Sequence, residues 1–170
     1  MKKAVSILIL LLIVALFAGC GGSDTKTINT DKGSVSVNEK ENKVEVKTDD
    51  GNKSQISVGQ NGEGVELPSD YPKDLVPIVD GAKINMANRN ENAGKITYWV
   101  AYFTDKTPKE VNSFYQDALK ALTEPQKAEM NGSYNISGTK DGKIIGVIIT
   151  TEENDGKKQT LVNITITPKP

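Results

Sequence analysis

The apolar and polar positions of this chain fall into four regimes. Residues 4 to 17 are an unbroken apolar run interrupted only by Ser6. From Ser34 to Val58 apolar and polar residues alternate: Val35 and Val37, then Val44 and Val46, then Ile56 and Val58, separated by Asn38–Asn42 and Asp49–Asn52. Period-two alternation between polar turns predicts a three-stranded antiparallel meander with one apolar face. Gly59 to Gly64 reads as a loop. Pro68, Pro72 and Pro77 then force an extended, turn-rich approach up to Asp80-Gly81-Ala82.

The fourth regime is a folded domain. Lys83–Met86 reads as a short strand and Asn88–Ala93 as a polar loop. Lys95–Thr104, rich in aromatic and β-branched residues, is the strongest strand signal in the chain. A helix follows: Thr107 caps it, Pro108 takes the first position, and Glu110 completes a capping box. Val111, Phe114, Tyr115, Ala118, Leu119 and Leu122 fall at helical spacing, and Pro125 is expected to end the helix. Lys127–Met130 is a short piece before Asn131-Gly132. Strands at Ser133–Lys140, Lys143–Thr151 and Gln159–Thr167 follow, with Asp141-Gly142 as a second hairpin turn. Setting the short piece aside, the order is β-β-α-β-β-β. The fold class expected is α+β: an antiparallel sheet with one helix packed on one face, preceded by the three-stranded meander.

The N-terminus supplies an address. Met1-Lys2-Lys3 is basic, the apolar run of 14 residues is short of the roughly 20 a membrane-spanning helix needs, and Ala18-Gly19-Cys20 is small. Phe17-Ala18-Gly19-Cys20 resembles the lipobox of bacterial lipoproteins, with Phe17 where Leu is usual. The resemblance implies recognition of Phe17, Ala18 and Gly19 by the lipoprotein signal peptidase, cleavage before Cys20, and diacylglycerol on its sulfur, often with a further fatty acyl group on the new amino terminus. Two or three acyl chains hold a protein to a membrane stably; one does not. The implied location is extracytoplasmic. The anchor lies on the outer face of the cell membrane, or in the outer membrane of a two-membraned host. The domain boundaries expected are a cleaved signal over 1–19, a flexible tether over 20–33, the meander and loop over 34–66, and the α+β domain over 67–170.

Leu67-Pro68, Tyr71-Pro72, Asp74, Pro77 and Gly81-Ala82, with Glu110-Val111, Phe114-Tyr115 and Leu119, resemble a family of small bacterial lipoprotein domains of unknown function. The chain departs from that pattern at Val79-Asp80 and at Thr123-Glu124-Pro125. The resemblance covers residues 67–170 and concerns the fold; no activity travels with it.

Composition narrows the chemistry. The chain holds 21 basic and 22 acidic residues, and without Lys2 and Lys3 the balance is 19 against 22, a net of −3. No basic stripe for nucleic acid is implied. There is no histidine, and Cys20 is the single cysteine. Ser-His-Asp and Cys-His systems are excluded, as are the usual zinc sites and any internal disulfide. No cofactor or metal is expected. The oxygen-rich loop Glu152-Glu153-Asn154-Asp155-Gly156 matches no calcium-loop spacing and reads as a solvated turn, as does Asp49-Asp50-Gly51.

The strands carry the remaining signal. Ile96, Tyr98, Val100 and Tyr102 oppose Thr97, Trp99, Ala101 and Phe103; Ile145, Val147 and Ile149 oppose Ile144, Gly146 and Ile148. Both faces are largely apolar, and one helix covers only one. The meander, with its six small aliphatics, is the expected lid over the other; left bare, the face of Trp99 and Phe103 would mark a binding surface for an envelope protein or an apolar ligand. The function expected is a membrane-anchored, non-enzymatic binding or structural module of the cell envelope. The alternatives are a carrier of an apolar small molecule on the open face, and a hydrolase dependent on Asp and Glu.

Overall fold

The computed structural model describes residues 25–60, 63–154 and 156–170. The signal, Cys20 and the residues before it therefore lie outside the described residues. The alternating segments form β2 (Gly33–Asn38), β3 (Lys43–Thr48) and β4 (Lys53–Val58), as expected, but a further strand, β1 (Thr25–Thr30), precedes them. The stretch expected to be tether thus becomes strand from Thr25. Only Ile28 is apolar there, and the full ladder from Thr25↔Asn38 to Thr30↔Gly33 with β2 is what makes it a strand.

The ribbon continues into β5 (Lys83–Asn92) and β6 (Lys95–Thr104). The expected polar loop at Asn88–Ala93 is corrected: Asn88 to Asn92 pair with Trp99 to Lys95, and the turn is confined to Ala93-Gly94, both at positive φ (50° and 75°). The ten-residue β6 offers backbone partners along its whole length, and polar side chains do not prevent pairing. A bulge between Ile84 and Met86 absorbs one residue, and the Gly59 N–H donates to the Asn85 carbonyl at 2.8 Å.

Helix α1 spans Pro108–Ala118. Both halves of the capping box form: the Thr107 N–H donates to Glu110 Oε2 at 2.8 Å, and the Glu110 N–H donates to Thr107 Oγ1 at 3.3 Å. These contacts hold the Glu110 carboxyl below its usual range. Thr107→Ala should lower stability by about 1 kcal/mol, read from the urea midpoint, whereas Thr107→Ser should be nearly neutral. The helix stops earlier than Pro125. Leu119 caps it, Leu122 turns back into the core through its N–H to the Leu119 carbonyl, and Thr123–Met130 forms β7. Pro125 is tolerated because β7 is an edge strand with a bulge between Thr123 and Gln126. The piece set aside at Lys127 is the end of this strand.

β8 (Ser133–Lys140), β9 (Lys143–Asn154) and β10 (Lys157–Pro168) complete the chain. The Asn131-Gly132 and Asp141-Gly142 turns adopt the paired positive φ of type I′ hairpins. All ten strands form one antiparallel sheet in the order β1-β2-β3-β4-β5-β6-β10-β9-β8-β7. The architecture is α+β-like, but it has four strands after the helix rather than three, and the ribbon lies in the same sheet.

The core lies on one side of β6, β10, β9 and β8. Tyr98, Val100 and Tyr102 align with Ile166, Ile164 and Val162, and these with Ile145, Val147 and Ile149. All nine are buried, under Val111, Tyr115 and Leu119 of α1 and Tyr71, Leu75, Val76 and Val79 of the proline-rich approach. That approach is half of the covering layer. Arg89, the sole arginine, pins it to β5 through Asp70 at 2.8 Å and reaches Glu91 at 3.1 Å.

Tyr115 and Tyr102 join the two layers. The Tyr115 hydroxyl donates to the Pro77 carbonyl at 2.9 Å and lies 2.9 Å from the Tyr102 hydroxyl. Burial pushes the Tyr102 phenol up to about 12, and burial also raises those of Tyr115 and Tyr71. A phenol that ionises near 10 when unfolded and near 12 when folded stabilises the fold fully below pH 10. That contribution is lost as pH climbs from 10 to 12. The urea midpoint should therefore hold level from pH 7 to 9 and fall steeply above 10, with a shallower fall in Tyr102→Phe.

Candidate binding face

Strand parity decides what the other side of the sheet presents. Directly paired residues of antiparallel strands point to the same face. One register row runs Val37↔Val44↔Ile56↔Asn88↔Trp99↔Thr165↔Gly146↔Ser137. The next runs Val58↔Met86↔Ala101↔Asn163↔Ile148↔Asn135. The apolar side of the ribbon therefore lies on the same side of the sheet as Trp99, opposite the helix.

This corrects the expectation of a lid. The ribbon does not stack on the Trp99 face; it extends it sideways. The cause is the β4–β5 ladder from Lys53↔Glu91 to Val58↔Met86. Once β4 satisfies the outer edge of β5, the ribbon is committed to the plane of the sheet, and its valines inherit the parity of Trp99. On the helix side its residues are polar: Ser36, Glu45 and Gln55 lie in the row of Arg89.

Among the described residues, the exposed large apolar side chains are Val58, Trp99, Met130, Ile144 and Ile148. Register places every one of them on this face; Met130 pairs with Ser133, two residues from Asn135. Trp99 is 39% and Ile148 48% exposed. Phe103 shares the face and is half-buried, one strand from Lys83 and Leu161. Ala101, between Trp99 and Phe103 on β6, is screened to 6% exposure. The ribbon is better covered: Val37 is buried, and Val35, Val44, Val46 and Ile56 are half-buried.

The middle of this face carries no charge. Between Asn88 and Ser137 in one row, and between Met86 and Asn135 in the next, every residue is neutral. Charges appear at the perimeter, in Lys83 opposite Phe103, Lys95 opposite Asn92 and Glu152 opposite Gln159. A quarter of the whole chain is charged, so a neutral field of this size is a property of the face and not of the composition. Depletion of charge with enrichment of Trp, Phe and Met characterises the core of protein interfaces. The asparagines and threonines add hydrogen-bonding groups without a charge to desolvate.

Compared with known proteins, the chain matches no family model, no curated protein and no solved structure. The chemistry of the face has to speak for itself.

The face is broad and open. Trp99 and Phe103 lie about 13 Å apart along the strand at about 3.3 Å per residue. A groove of about 410 Å³ lies on the opposite side, between the ribbon and residues 63–69, and carries charges of both signs from Lys40, Lys43, Glu41 and Glu66. Among the described residues, no three His, Cys, Asp or Glu side chains converge as a metal site, and no helix is long and apolar enough to cross a membrane. Glu152 and Glu153 are exposed; Asp155 lies outside the described residues. Phe17, Ala18, Gly19 and Cys20 also lie outside them.

The sequence marked Trp99, Phe103, Ile144 and Ile148 as one side of two strands. It did not mark Met86, Leu161 and Met130. Hairpin register counted outward from the Asn131-Gly132 turn would have placed Met130; Met86 keeps the unbroken register of the Ala93-Gly94 hairpin, which the reading of Asn88–Ala93 as a loop concealed.

Proposed function

We propose that this protein is a lipid-anchored extracytoplasmic module of the cell envelope that works by binding, not by catalysis, through the uncovered face of its sheet. One observation carries the reading: the exposed large apolar side chains described all lie on that face, around a charge-free centre. Large apolar side chains gathered on one exposed face, rather than scattered over the surface, mark an interaction site. The anchor reading is supported by the short apolar run and Ala18-Gly19-Cys20. Four residues separate Cys20 from β1, so the sheet would be held within about 17 Å of the lipid at full extension.

The second reading, a carrier of an apolar small molecule seated on Trp99 and Phe103, shares the same face. A small ligand there would stay half in water, whereas binding pockets enclose most of a ligand. A broad partner uses the face better.

A photo-crosslinking amino acid in place of Trp99 in the full chain, expressed in its own envelope, tests both. Discrete adducts of macromolecular mass from position 99, with none from Ser113 on the outside of α1, are expected. A mass gain of a few hundred daltons would favour the carrier. No adduct at position 99 would remove the binding reading.

A further inference from the structure

We propose that the partner of the uncovered face is a second copy of this chain, docked face to face about a twofold axis running along β10. The inference rests on the binding-face reading above and names its occupant. Strands β6 and β9 flank β10 and run in the same direction. A twofold axis parallel to β10, lying between two stacked sheets, places β6 of one copy over β9 of the other at the same level along the axis.

The side chains then alternate in size across the interface. Register puts Trp99 level with Gly146, Ala101 with Ile148, and Phe103 with Thr150, through Thr165, Asn163 and Leu161 of β10. Large meets small in every pair, and the order inverts from one pair to the next. Facing layers interdigitate on such a pattern. Gly146 is the hollow: a Cβ built there would meet nothing within 4 Å. In a twofold contact, Trp99 of each copy fills the Gly146 hollow of the other, since residue i touching j requires j touching i.

The area also fits. Three strands lie on one side of β10 and six on the other, so seven overlap, β4 to β7 in sheet order. At about 4.8 Å per strand and about 3.3 Å per residue over levels 97 to 103, the overlap is roughly 34 Å by 23 Å, close to the 800 Å² per partner of a stable interface. Val58, Trp99, Ile144, Ile148 and Met130 all lie on these seven strands; the better-covered β1 to β3 stay outside. The same axis sends both chains into β1 from the same end, so two Cys20 anchors would reach one membrane. A twofold across the strands would send them to opposite ends.

Variants of the full chain that each add one cysteine to Cys20, in membranes and treated with a short bis-maleimide, test this. Thr165 lies on the axis and faces itself. Thr165→Cys should cross-link to twice the chain mass, while Ser113→Cys and the parent chain should not. Adding Gly146→Leu should reduce the Thr165→Cys dimer tenfold or more, because the hollow is filled. Mere stickiness predicts the reverse, since leucine makes the face more apolar. Absence of a dimer at position 165, equal dimer at 113, or a dimer unchanged or increased by Gly146→Leu would overturn the proposal. If Thr165→Cys forms no dimer yet resists a membrane-impermeant maleimide, another partner covers the face. In that case the second copy is wrong and the binding reading stands; its own failure is read at position 99.

Discussion

Tyr115→Ala should destabilise the domain by about 4 kcal/mol, a large part of the total stability of a fold this size. Tyr115 is fully buried, packs edge-on against Phe114 with ring centroids 5.0 Å apart, and lies under the sheet beside Val111 and Leu119. Its hydroxyl bridges all three parts of the covered side: it donates to Pro77 of the approach segment and meets Tyr102 of β6. Alanine removes the ring and leaves a cavity that the rigid sheet below cannot close. Tyr115→Phe isolates the second contribution. It keeps the ring but leaves the Pro77 carbonyl without its donor and the Tyr102 hydroxyl with only its backbone contact to Val79, at a cost of about 1–2 kcal/mol. Urea unfolding of both variants gives the comparison. A loss below 1 kcal/mol in Tyr115→Ala would mean that the approach segment and helix do not close the core together.

Cys20→Ser should abolish the anchor. The full chain expressed with an alkyne-tagged fatty acid is expected to take up label and sediment with membranes, and the serine variant to take up none. Under the lipobox resemblance, serine lacks the thiol that would carry the diacylglycerol, so the variant should also run heavier by a retained leader. Phe17→Asp should slow processing while leaving Cys20 in place, since a charge replaces the apolar residue offered to the peptidase. Label retained by Cys20→Ser would end the lipoprotein reading. The proposal for the sheet face would be untouched by that result, because it depends on strands that begin at Thr25.

Much of the fold was legible where local chemistry is decisive. Thr107, Pro108 and Glu110 announced the helix start, and both halves of the capping box are present. Asn131-Gly132 and Asp141-Gly142 announced hairpins, and both turns take the backbone that only such residues adopt cheaply. The valines of β2 to β4 announced strands through their period. Failures fell where a strand owes its existence to a neighbour. Thr25–Thr30 and Asn88–Asn92 are polar and lack a clear alternation; they are strands because β2 and β6 hold out unpaired backbone beside them. Pro125 suggested a helix end, yet it sits in edge strand β7, where a missing N–H costs nothing.

The candidate face divides the same way. From the sequence alone came the alternation that gives β6 and β9 two apolar sides, and the lack of histidine that removes whole classes of chemistry. Those are properties of residue type and spacing, which a linear chain carries in full. Which side stays bare among the described residues was decided by tertiary structure. The approach segment and α1 both settle on the side of Tyr98 and Tyr102, and the β4–β5 ladder turns the ribbon from a lid into an extension of the other side. The reason is that an alternating strand is symmetric between its faces. Only a contact distant in sequence breaks that symmetry, by covering one face or by fixing the register of a neighbour.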